Sequence, residues 1–271
     1  ERPYGVKIGV VQTAGSLHSE EGEIPDVLKF CIKSVKAWCK LNGYEHCLVP
    51  QPTTHYEICR HPDFNRGFRK YEVCAQVADQ FDYIIYLDAD MLCWGNPKIP
   101  MVEDKFMCIL KSEQSSQIYP WYDGKRSAHG FFFAGSSHWF KRLYSWIQEQ
   151  MVRETRCDGV VSDQYLESNC KIWDHMNHSS WPKGMLFHDE VTIRHWIADN
   201  LDSIQFIKPW TIIEDIHCKG DISPSRFFHY VGANKDRQHA FMWTIIQAYR
   251  SNRALYEGWR EIRRLIYNEF K

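Results

Sequence analysis

The sequence predicts an α/β protein in which helices flank a mostly parallel sheet. Strand-like and helix-like segments alternate through residues 6–90, and the third strand-like segment ends abruptly in two aspartates. Strand–helix–strand alternation is typical of parallel sheets whose connections are right-handed. We expect one domain over residues 1–271, with a Rossmann-like, doubly wound half at 1–95 and a second half at 96–271 that includes a smaller, mixed portion.

Local patterns define the elements of the first half. Val and Ile dominate the first strand, Pro25 opens an apolar helical pattern, and Asn42-Gly43 is a helix stop signal. The segment at 51–67 is rich in Pro and His and shows no periodicity. The predicted elements are a strand at 6–11, a polar turn at 12–16, a helix at 25–42, a strand at 45–49 and a helix at about 68–80.

The second half changes character after Asp90. A polar segment at 111–127 is predicted to be an exposed loop, and the apolar segment at 130–134 a buried strand. The other predicted elements are short strands at 106–110, 204–207, 211–213 and 226–232, and helices at about 137–153, from 162, and over 240–270 with an interruption near Gly258.

The strand that ends at Leu87 leads directly into Asp88-Ala89-Asp90. In open α/β sheets, ligands bind in the crevice beyond the carboxyl ends of the strands. Because side chains alternate along a strand, we expect both carboxylates on one side of the chain. Paired carboxylates at such a place can bind Mg²⁺ or Mn²⁺, which takes substrate phosphates as further ligands. An acidic loop that binds nothing is the alternative interpretation.

A second group of polar residues follows the last predicted strand. His229, Gly232 and Lys235 are spaced three residues apart. An imidazole can complete the coordination of a divalent ion that two carboxylates already bind. Glycine lets the backbone approach a phosphate, and lysine supplies a compact positive charge. A purely structural histidine is the other interpretation, but Asp88 and Asp90 favour the metal site.

These two motifs resemble those of the GT-A fold glycosyltransferases, in particular the retaining, glycogenin-like and galactosyltransferase group. The order of elements is similar over nearly the whole chain, whereas the specific likeness rests on the motifs. The resemblance implies a metal-dependent enzyme that uses a nucleotide sugar, UDP-linked by expectation. It implies these roles: metal binding by Asp88, Asp90 and His229, a ribose contact by Asp88, and diphosphate binding by Gly232 and Lys235.

Weaker correspondences to the same group concern the donor and the reacting sugar. Lys70 matches a basic position that contacts the donor, and the predicted turn Gln12-Thr13-Ala14 matches the loop that surrounds the base. Asp163-Gln164 resembles a pair that this group places beside the sugar, and the resemblance makes these two residues the catalytic candidates. An ordinary first turn of a helix is the alternative interpretation of that pair.

One departure from the group concerns the donor sugar. The family often has Asn-Ser-Gly before the middle buried strand, whereas this chain has Ala128-His129-Gly130. A position that contacts the sugar has therefore changed, which bears on the identity of the sugar more than on the reaction.

The acceptor side offers one group of titratable residues and several aromatic ones. A general base must bring a carboxylate or imidazole to the acceptor hydroxyl, and aromatic rings can stack on sugars. A solvated surface cluster and simple packing are the alternative interpretations. The candidates are His188, Asp189, Glu190, Trp121, Tyr122 and Trp181.

Composition narrows the partners and the compartment. A net charge of −1 argues against nucleic-acid binding, which normally requires a basic excess. Ten cysteines without a Cys-x-x-Cys pair indicate free thiols in a reducing compartment such as the cytoplasm. We expect no membrane span in this chain. The start at Glu1 and the sequon at Asn177 leave open a larger polypeptide and an anchored, lumenal enzyme.

The sequence thus predicts a Mn²⁺-dependent glycosyltransferase that transfers a sugar to a hydroxyl of a glycan or glycoconjugate, with retention of configuration. The alternatives are an inverting enzyme with Asp189 or Glu190 as the base, an inactive module that binds nucleotide sugars or glycans, and a metal-dependent nuclease or phosphotransferase. The neutral charge and the lack of a phosphate-binding Gly-x-x-x-x-Gly-Lys loop disfavour the last.

Overall fold

The chain is a mixed α/β protein with a mainly parallel central sheet flanked by helices, as the sequence predicts. The computed structural model describes residues 5–14, 24, 26–50, 62–102, 104–110, 128–155, 193, 196–207, 213–215, 226–229 and 253–269. Among these residues, no helix is both long enough and apolar enough to span a bilayer.

The described elements are nine strands and four α-helices. The strands are β1 (Ile8–Ala14), β2 (Glu45–Pro50), β3 (Tyr83–Leu87), β4 (Met91–Trp94), β5 (Phe106–Leu110), β6 (Ala128–Ser136), β7 (Ile204–Ile207), β8 (Ile213–Asp215) and β9 (Arg226–His229). The helices are α1 (Asp26–Asn42), α2 (Pro62–Val77), α3 (Ser137–Thr155) and α4 (Arg253–Glu269).

Two compact units make up the chain, and each draws on separate stretches of sequence. The first comprises Glu1–Pro50, Ile85–Met101 and Lys208–Lys271, and the second comprises Gln51–Ile84 and Val102–Ile207. The strand order in the first unit is β2-β1-β3, with a separate three-stranded sheet in the order β4-β9-β8. In the second unit the order is β6-β5-β7.

Within the first unit, two ladders determine which residues of neighbouring strands lie opposite each other. β1 and β2 are parallel, from the pair Gly9 and Glu45 to the pair Ala14 and Pro50. β4 and β9 are antiparallel, and Met91 lies opposite His229. β8 runs parallel to β9 on its other side. The last residue of β9 is therefore placed directly beside the first residue of β4.

Large aromatic side chains pack β4 and β9 against α1 and α4 in the first unit. Phe227 of β9 meets the edge of Trp38 of α1, with ring centroids 5.0 Å apart. On the next residue, Phe228 packs against Trp94 of β4 at 5.4 Å, and Trp94 packs in turn against Trp259 of α4 at 5.7 Å. Such pairs each add about 0.5–1.5 kcal/mol beyond the area they bury.

The carboxyl end of α1 is fixed by its backbone and by one buried asparagine. Gly43 has a φ of 63°, and the bonds from its N–H to Lys40 and from the Tyr44 N–H to Cys39 form a Schellman motif. The Asn42 amide donates to the Trp38 carbonyl at 2.8 Å. This helix end confirms the stop signal in the sequence.

Phenylalanine fills the core of the second unit. Phe106 of β5 packs against Phe133 of β6, Phe140 of α3 and Trp196, with ring centroids 5.1–5.6 Å apart. β5 is antiparallel to β6 and parallel to β7. The N–H of Ser137, at the start of α3, donates to the Asp82 carbonyl at 3.1 Å.

The turn predicted at 12–16 is wrong for its first three residues, and residues 15 and 16 lie outside the described part of the chain. Gln12, Thr13 and Ala14 are strand residues, because β1 continues its parallel ladder with β2 as far as Pro50. Their polarity suggested a turn, but the side chains of Gln12 and Thr13 form hydrogen bonds inside the protein.

Several other boundaries also differ from the prediction. α2 begins at Pro62 and not near residue 68. The segment at 51–67 shows no helical periodicity, so the predicted start was too late, although proline is favourable in the first turn of a helix. α4 passes through Gly258 without a break, since that residue is buried and packing outweighs its low helix propensity. β4 was not predicted, and the strand expected at 211–213 lies at Ile213–Asp215.

No disulfide joins the six cysteines among the described residues, in agreement with the thiols that the sequence predicts. Burial raises the pKa of Cys74, Cys93 and Cys108, and it also raises that of the less buried Cys47, with a smaller contribution from the Glu45 carboxylate. The thiolate is the reactive form, so these four thiols are poor nucleophiles and poor metal ligands.

The Asn42 side chain is expected to stabilise the fold strongly. Its amide nitrogen donates to the Trp38 carbonyl at 2.8 Å and to Asn96 Oδ1 at 2.9 Å, and its Oδ1 accepts from Lys98 Nζ at 2.6 Å. Asn42→Ala therefore removes three hydrogen bonds at a buried position. We expect the free energy of unfolding to fall by about 2 kcal/mol in denaturant titrations. Leu41→Ala, at an exposed neighbouring position, is the control and should change it by less than about 0.5 kcal/mol.

Candidate metal centre

A tight chain reversal follows β3 and carries both aspartates. Every residue of β3 is buried, and the Met91 N–H donates to the Asp88 carbonyl at 3.1 Å, which closes a turn before β4 begins. The two carboxylates do converge, as predicted. They do so through this turn and not through the alternation of an extended strand, since the strand ends at Leu87.

The third member of the cluster comes from the end of β9. His229 lies opposite Met91 in the antiparallel ladder, so its imidazole reaches the turn from the neighbouring strand. Its Nε2 atom is 3.4 Å from Asp90 Oδ1 and 3.9 Å from Asp88 Oδ2. One ligand atom from each of the three residues lies within 4.8 Å of the others.

These distances suit a shared cation better than direct hydrogen bonds. Charge-assisted N–H···O bonds are about 2.7–2.9 Å long, shorter than either His229 contact. Ligands bound about 2.1 Å from a metal at right angles lie roughly 3 Å apart, and wider angles bring them to about 4 Å. Two carboxylates and one imidazole also form a donor set that suits Mn²⁺. The residues therefore fit a divalent ion.

Burial makes the repulsion between the two carboxylates of the cluster strong. The side chains of His229 and Asp90 are each 9% exposed, and that of Asp88 is 28% exposed. Two carboxylates this close repel each other, and the repulsion is poorly screened away from water. A divalent cation offsets that repulsion, and the partial exposure of Asp88 leaves access for a further ligand from solvent.

The backbone of Asp88 is held by a fully buried amide. Gln12 Nε2 donates to the Asp88 carbonyl at 3.1 Å, and Gln12 Oε1 lies 2.9 Å from His46 Nε2. His46 is the donor in that contact because the amide oxygen can only accept. This chain of two bonds runs from β2 through β1 to the turn that follows β3.

The carboxylate of Asp88 is held separately by a phenol. Tyr86, two residues earlier on β3, donates from its hydroxyl to Asp88 Oδ1 at 2.6 Å. Thr13 Oγ1 lies 3.4 Å from the same hydroxyl. Hydrogen bonds to a carboxylate ligand fix its orientation and tune its affinity for the metal.

The structure brings together several residues that the sequence analysis selected. Asp88, Asp90 and His229 form the cluster, and Gln12 and Thr13 are linked to it by the bonds described above. Ala14 is buried at the end of β1. In the second unit, Lys70 is buried and donates to the Gly130 carbonyl at 2.7 Å.

The other selected residues lie outside the described part of the chain. They are Trp121, Tyr122, Asp163, Gln164, Trp181, His188, Asp189, Glu190, Gly232 and Lys235. Their roles at the reacting sugar, the acceptor and the diphosphate therefore stay predictions.

Two residues near the cluster were not selected from the sequence. Tyr86 precedes Asp88 by two positions, and side chains two residues apart along a strand lie on the same side. The sequence could therefore have indicated that Tyr86 lies near Asp88. His46 has no such signal, because its approach to Gln12 depends on the register of β2 against β1.

One solved structure with this fold is a glycosyltransferase involved in the glycosylation of the major capsid of PBCV-1. The likeness covers 87% of this chain and 99% of that chain, with a TM-score of 0.50 and 12% sequence identity. No protein-family model matches the chain, and no curated protein matches it in sequence. At this identity the likeness concerns the fold, so the chain has an α/β fold that is also found in a glycosyltransferase.

Metal binding is expected to stabilise the folded protein. A ligand at 100 times its dissociation constant adds about 2.7 kcal/mol to the stability of the state that binds it. Mn²⁺ should therefore raise the melting temperature of the wild type, and Asp90→Asn should remove most of that rise. Differential scanning fluorimetry with and without Mn²⁺ measures the effect.

The control for this measurement is Asp79→Asn. Asp79 is an exposed carboxylate that pairs with Lys141 on the surface, and such pairs contribute little to stability. Its variant should keep the full Mn²⁺ effect. An equal rise for wild type and Asp90→Asn would contradict the metal site.

Proposed function

We propose that the chain is a GT-A type glycosyltransferase that transfers a sugar from a nucleoside-diphosphate donor, UDP-linked, to a hydroxyl of a glycan or glycoconjugate. The observation that carries the proposal is the Asp88, Asp90 and His229 cluster directly after a buried strand, in a chain whose fold is shared with a glycosyltransferase. Mn²⁺, or Mg²⁺ in its place, is the ion proposed for that cluster.

The leaving diphosphate is the group that most needs stabilisation. Bound metal supplies positive charge against the negative charge that develops on the leaving phosphate. Asp88, Asp90 and His229 would hold the ion, and the part exposure of Asp88 admits phosphate oxygens from the donor. Lys235 and the backbone at Gly232 are proposed to bind the same diphosphate, since an ammonium and N–H groups complement its charge.

The nucleoside is proposed to lie near the first strand. By resemblance to the GT-A group, Gln12, Thr13 and Ala14 belong to the base-binding region, and Asp88 lies near the ribose. The Gln12 amide already bonds to His46 and to the Asp88 carbonyl. We therefore infer that Gln12 acts by shaping this region and not by a direct contact with the base. Lys70 stays a proposed donor contact.

Retention of configuration is proposed for the transfer itself. In a front-side reaction the departing phosphate oxygen takes the proton of the acceptor hydroxyl, so no protein base is required. The site must then stabilise positive character at the sugar, for which the carboxylate of Asp163 or the amide oxygen of Gln164 would serve. An inverting reaction needs a carboxylate behind the acceptor hydroxyl instead, and Asp189 and Glu190 are the candidates.

The acceptor is proposed to bind against the second half of the chain. His188 would offer a hydrogen bond to an acceptor hydroxyl, and Trp121 and Trp181 would stack on sugar rings. These residues were selected from the sequence alone, and their contribution is testable by the loss of transfer to acceptor without loss of donor hydrolysis.

Turnover is expected to depend on the metal cluster. With a panel of nucleotide sugars and Mn²⁺, the wild type should release free nucleoside diphosphate, measured by a coupled assay, and chelator should abolish the release. Asp90→Asn should lower the rate at least about 100-fold, because metal interactions with the leaving group contribute several kcal/mol. Asp79→Asn should keep the wild-type rate.

Two results would contradict this function. Full activity in chelator would remove the metal from the mechanism. Donor binding without release of any nucleoside diphosphate, with or without glycan acceptors, would instead identify an inactive module that binds nucleotide sugars.

The stereochemistry of the product distinguishes the two mechanisms. With a carbohydrate acceptor, an α-linked donor should give an α-linked product by NMR, because a front-side reaction forms the new bond on the face from which the diphosphate leaves. Asp189→Asn and Glu190→Gln should then remain active. A β-linked product together with inactivation by either substitution would establish inversion, and it would leave the proposed roles of Asp88, Asp90 and His229 unchanged.

A further inference from the structure

We propose that Tyr86 is a positioning residue that orients the Asp88 carboxylate for metal binding. The inference rests on the proposed function of the cluster as a metal site. It assigns to a buried phenol on β3 a role that neither the sequence motif nor the comparison with the PBCV-1 glycosyltransferase contains.

The hydrogen bond itself is short and protected. The Tyr86 hydroxyl donates to Asp88 Oδ1 at 2.6 Å, in the range of about 2.5–2.7 Å that is usual for O–H···O⁻ bonds. Tyr86 is only 2% exposed, so water competes little for its hydroxyl. Bonds of this kind are roughly twice as strong as bonds between neutral groups.

This bond distinguishes the two oxygens of one carboxylate. Oδ1 is engaged by the phenol, and Oδ2 is the oxygen 3.9 Å from His229 Nε2. Without the phenol, the carboxylate would rotate more freely about χ2, a torsion with broad and roughly two-fold preferences. The bond to Tyr86 therefore keeps Oδ2 directed at the place where the three ligand atoms meet.

A second hydroxyl limits the movement of Tyr86. Thr13 Oγ1 lies 3.4 Å from the phenol oxygen. The single proton of the phenol is used on Asp88, so the threonine hydroxyl is the donor in this longer, weaker contact. β1 thereby supports the carboxylate through two successive side chains, in addition to its support of the Asp88 carbonyl through Gln12.

Loss of the phenol hydroxyl has two physical consequences with opposite effects on the metal. Asp88 loses its preferred orientation, which weakens metal binding. Oδ1 also loses a donor that withdraws negative charge from the carboxylate, and the more negative carboxylate binds the metal more strongly. Substitutions of groups that hydrogen-bond to metal ligands typically cost 10–100-fold in affinity, so the orientation effect is the larger. A merely structural role would change the stability of the protein and not its affinity for the ion.

The chain offers a closely matched control on the same strand. Tyr83 is also buried, and its hydroxyl donates to the Met107 sulfur at 3.2 Å. Tyr83→Phe and Tyr86→Phe therefore remove the same atom from the same strand. The hydroxyl of Tyr86 bonds to a residue of the cluster, whereas that of Tyr83 bonds to Met107.

The experiment measures Mn²⁺ binding directly and without donor sugar. Free Mn²⁺ is followed by electron paramagnetic resonance while wild type, Tyr86→Phe and Tyr83→Phe are titrated, and melting temperatures are recorded without metal. We expect Tyr86→Phe to bind Mn²⁺ about 10–100-fold more weakly than the wild type. Tyr83→Phe should bind as the wild type does, and it should lose less stability than Tyr86→Phe, because a thioether sulfur is a weaker acceptor than a carboxylate.

The outcomes separate this inference from the proposed function. Wild-type binding with unchanged or tighter binding by Tyr86→Phe would overturn the positioning role and leave the metal site intact. Equal weakening by both variants would also overturn it, because the effect would then belong to the strand as a whole. If the wild type itself binds no Mn²⁺, the metal site and the positioning role fail together.

Discussion

The turn after β3 is the constraint on which the candidate centre depends. The Asp88 carbonyl accepts from the Met91 N–H and from the Gln12 amide, so one oxygen fixes both the reversal of the chain and its attachment to β1. The strand behind it is buried on both sides and cannot shift without disturbing the core. The two hydrogen bonds of the Asp88 carbonyl therefore fix the positions of both carboxylates and of the start of β4.

The centre combines charged ligands with an apolar support. Phe227 and Phe228 on β9 are locked by Trp38 and Trp94, and the next residue is the ligand His229. Sites whose ligands sit on packed strands keep their geometry better than sites on loops. The packed aromatic side chains therefore supply stability that offsets the repulsion between the two aspartates.

The sequence predicts the parts of this arrangement that depend on local pattern. The buried strand before Asp88 and the end of α1 at Gly43 were predictable, since each has its own residue signature. The grouping of the two aspartates with His229 was predictable because the two motifs resemble those of a known family. Tertiary register has no such signature. The extension of β1, the strand β4 and the approach of His46 to Gln12 follow from the partners of each strand, which a single sequence does not reveal.

The ladder between β4 and β9 also determines which changes of chain length the centre can tolerate. His229 is placed by its pairing with Met91. Loop closure depends only weakly on length, so an insertion confined to a loop between the two strands would leave the imidazole where it is. One residue added within β9 would turn it to the opposite face of the sheet. An insertion in a loop between the two strands should therefore disturb the centre less than one within their four-residue pairing.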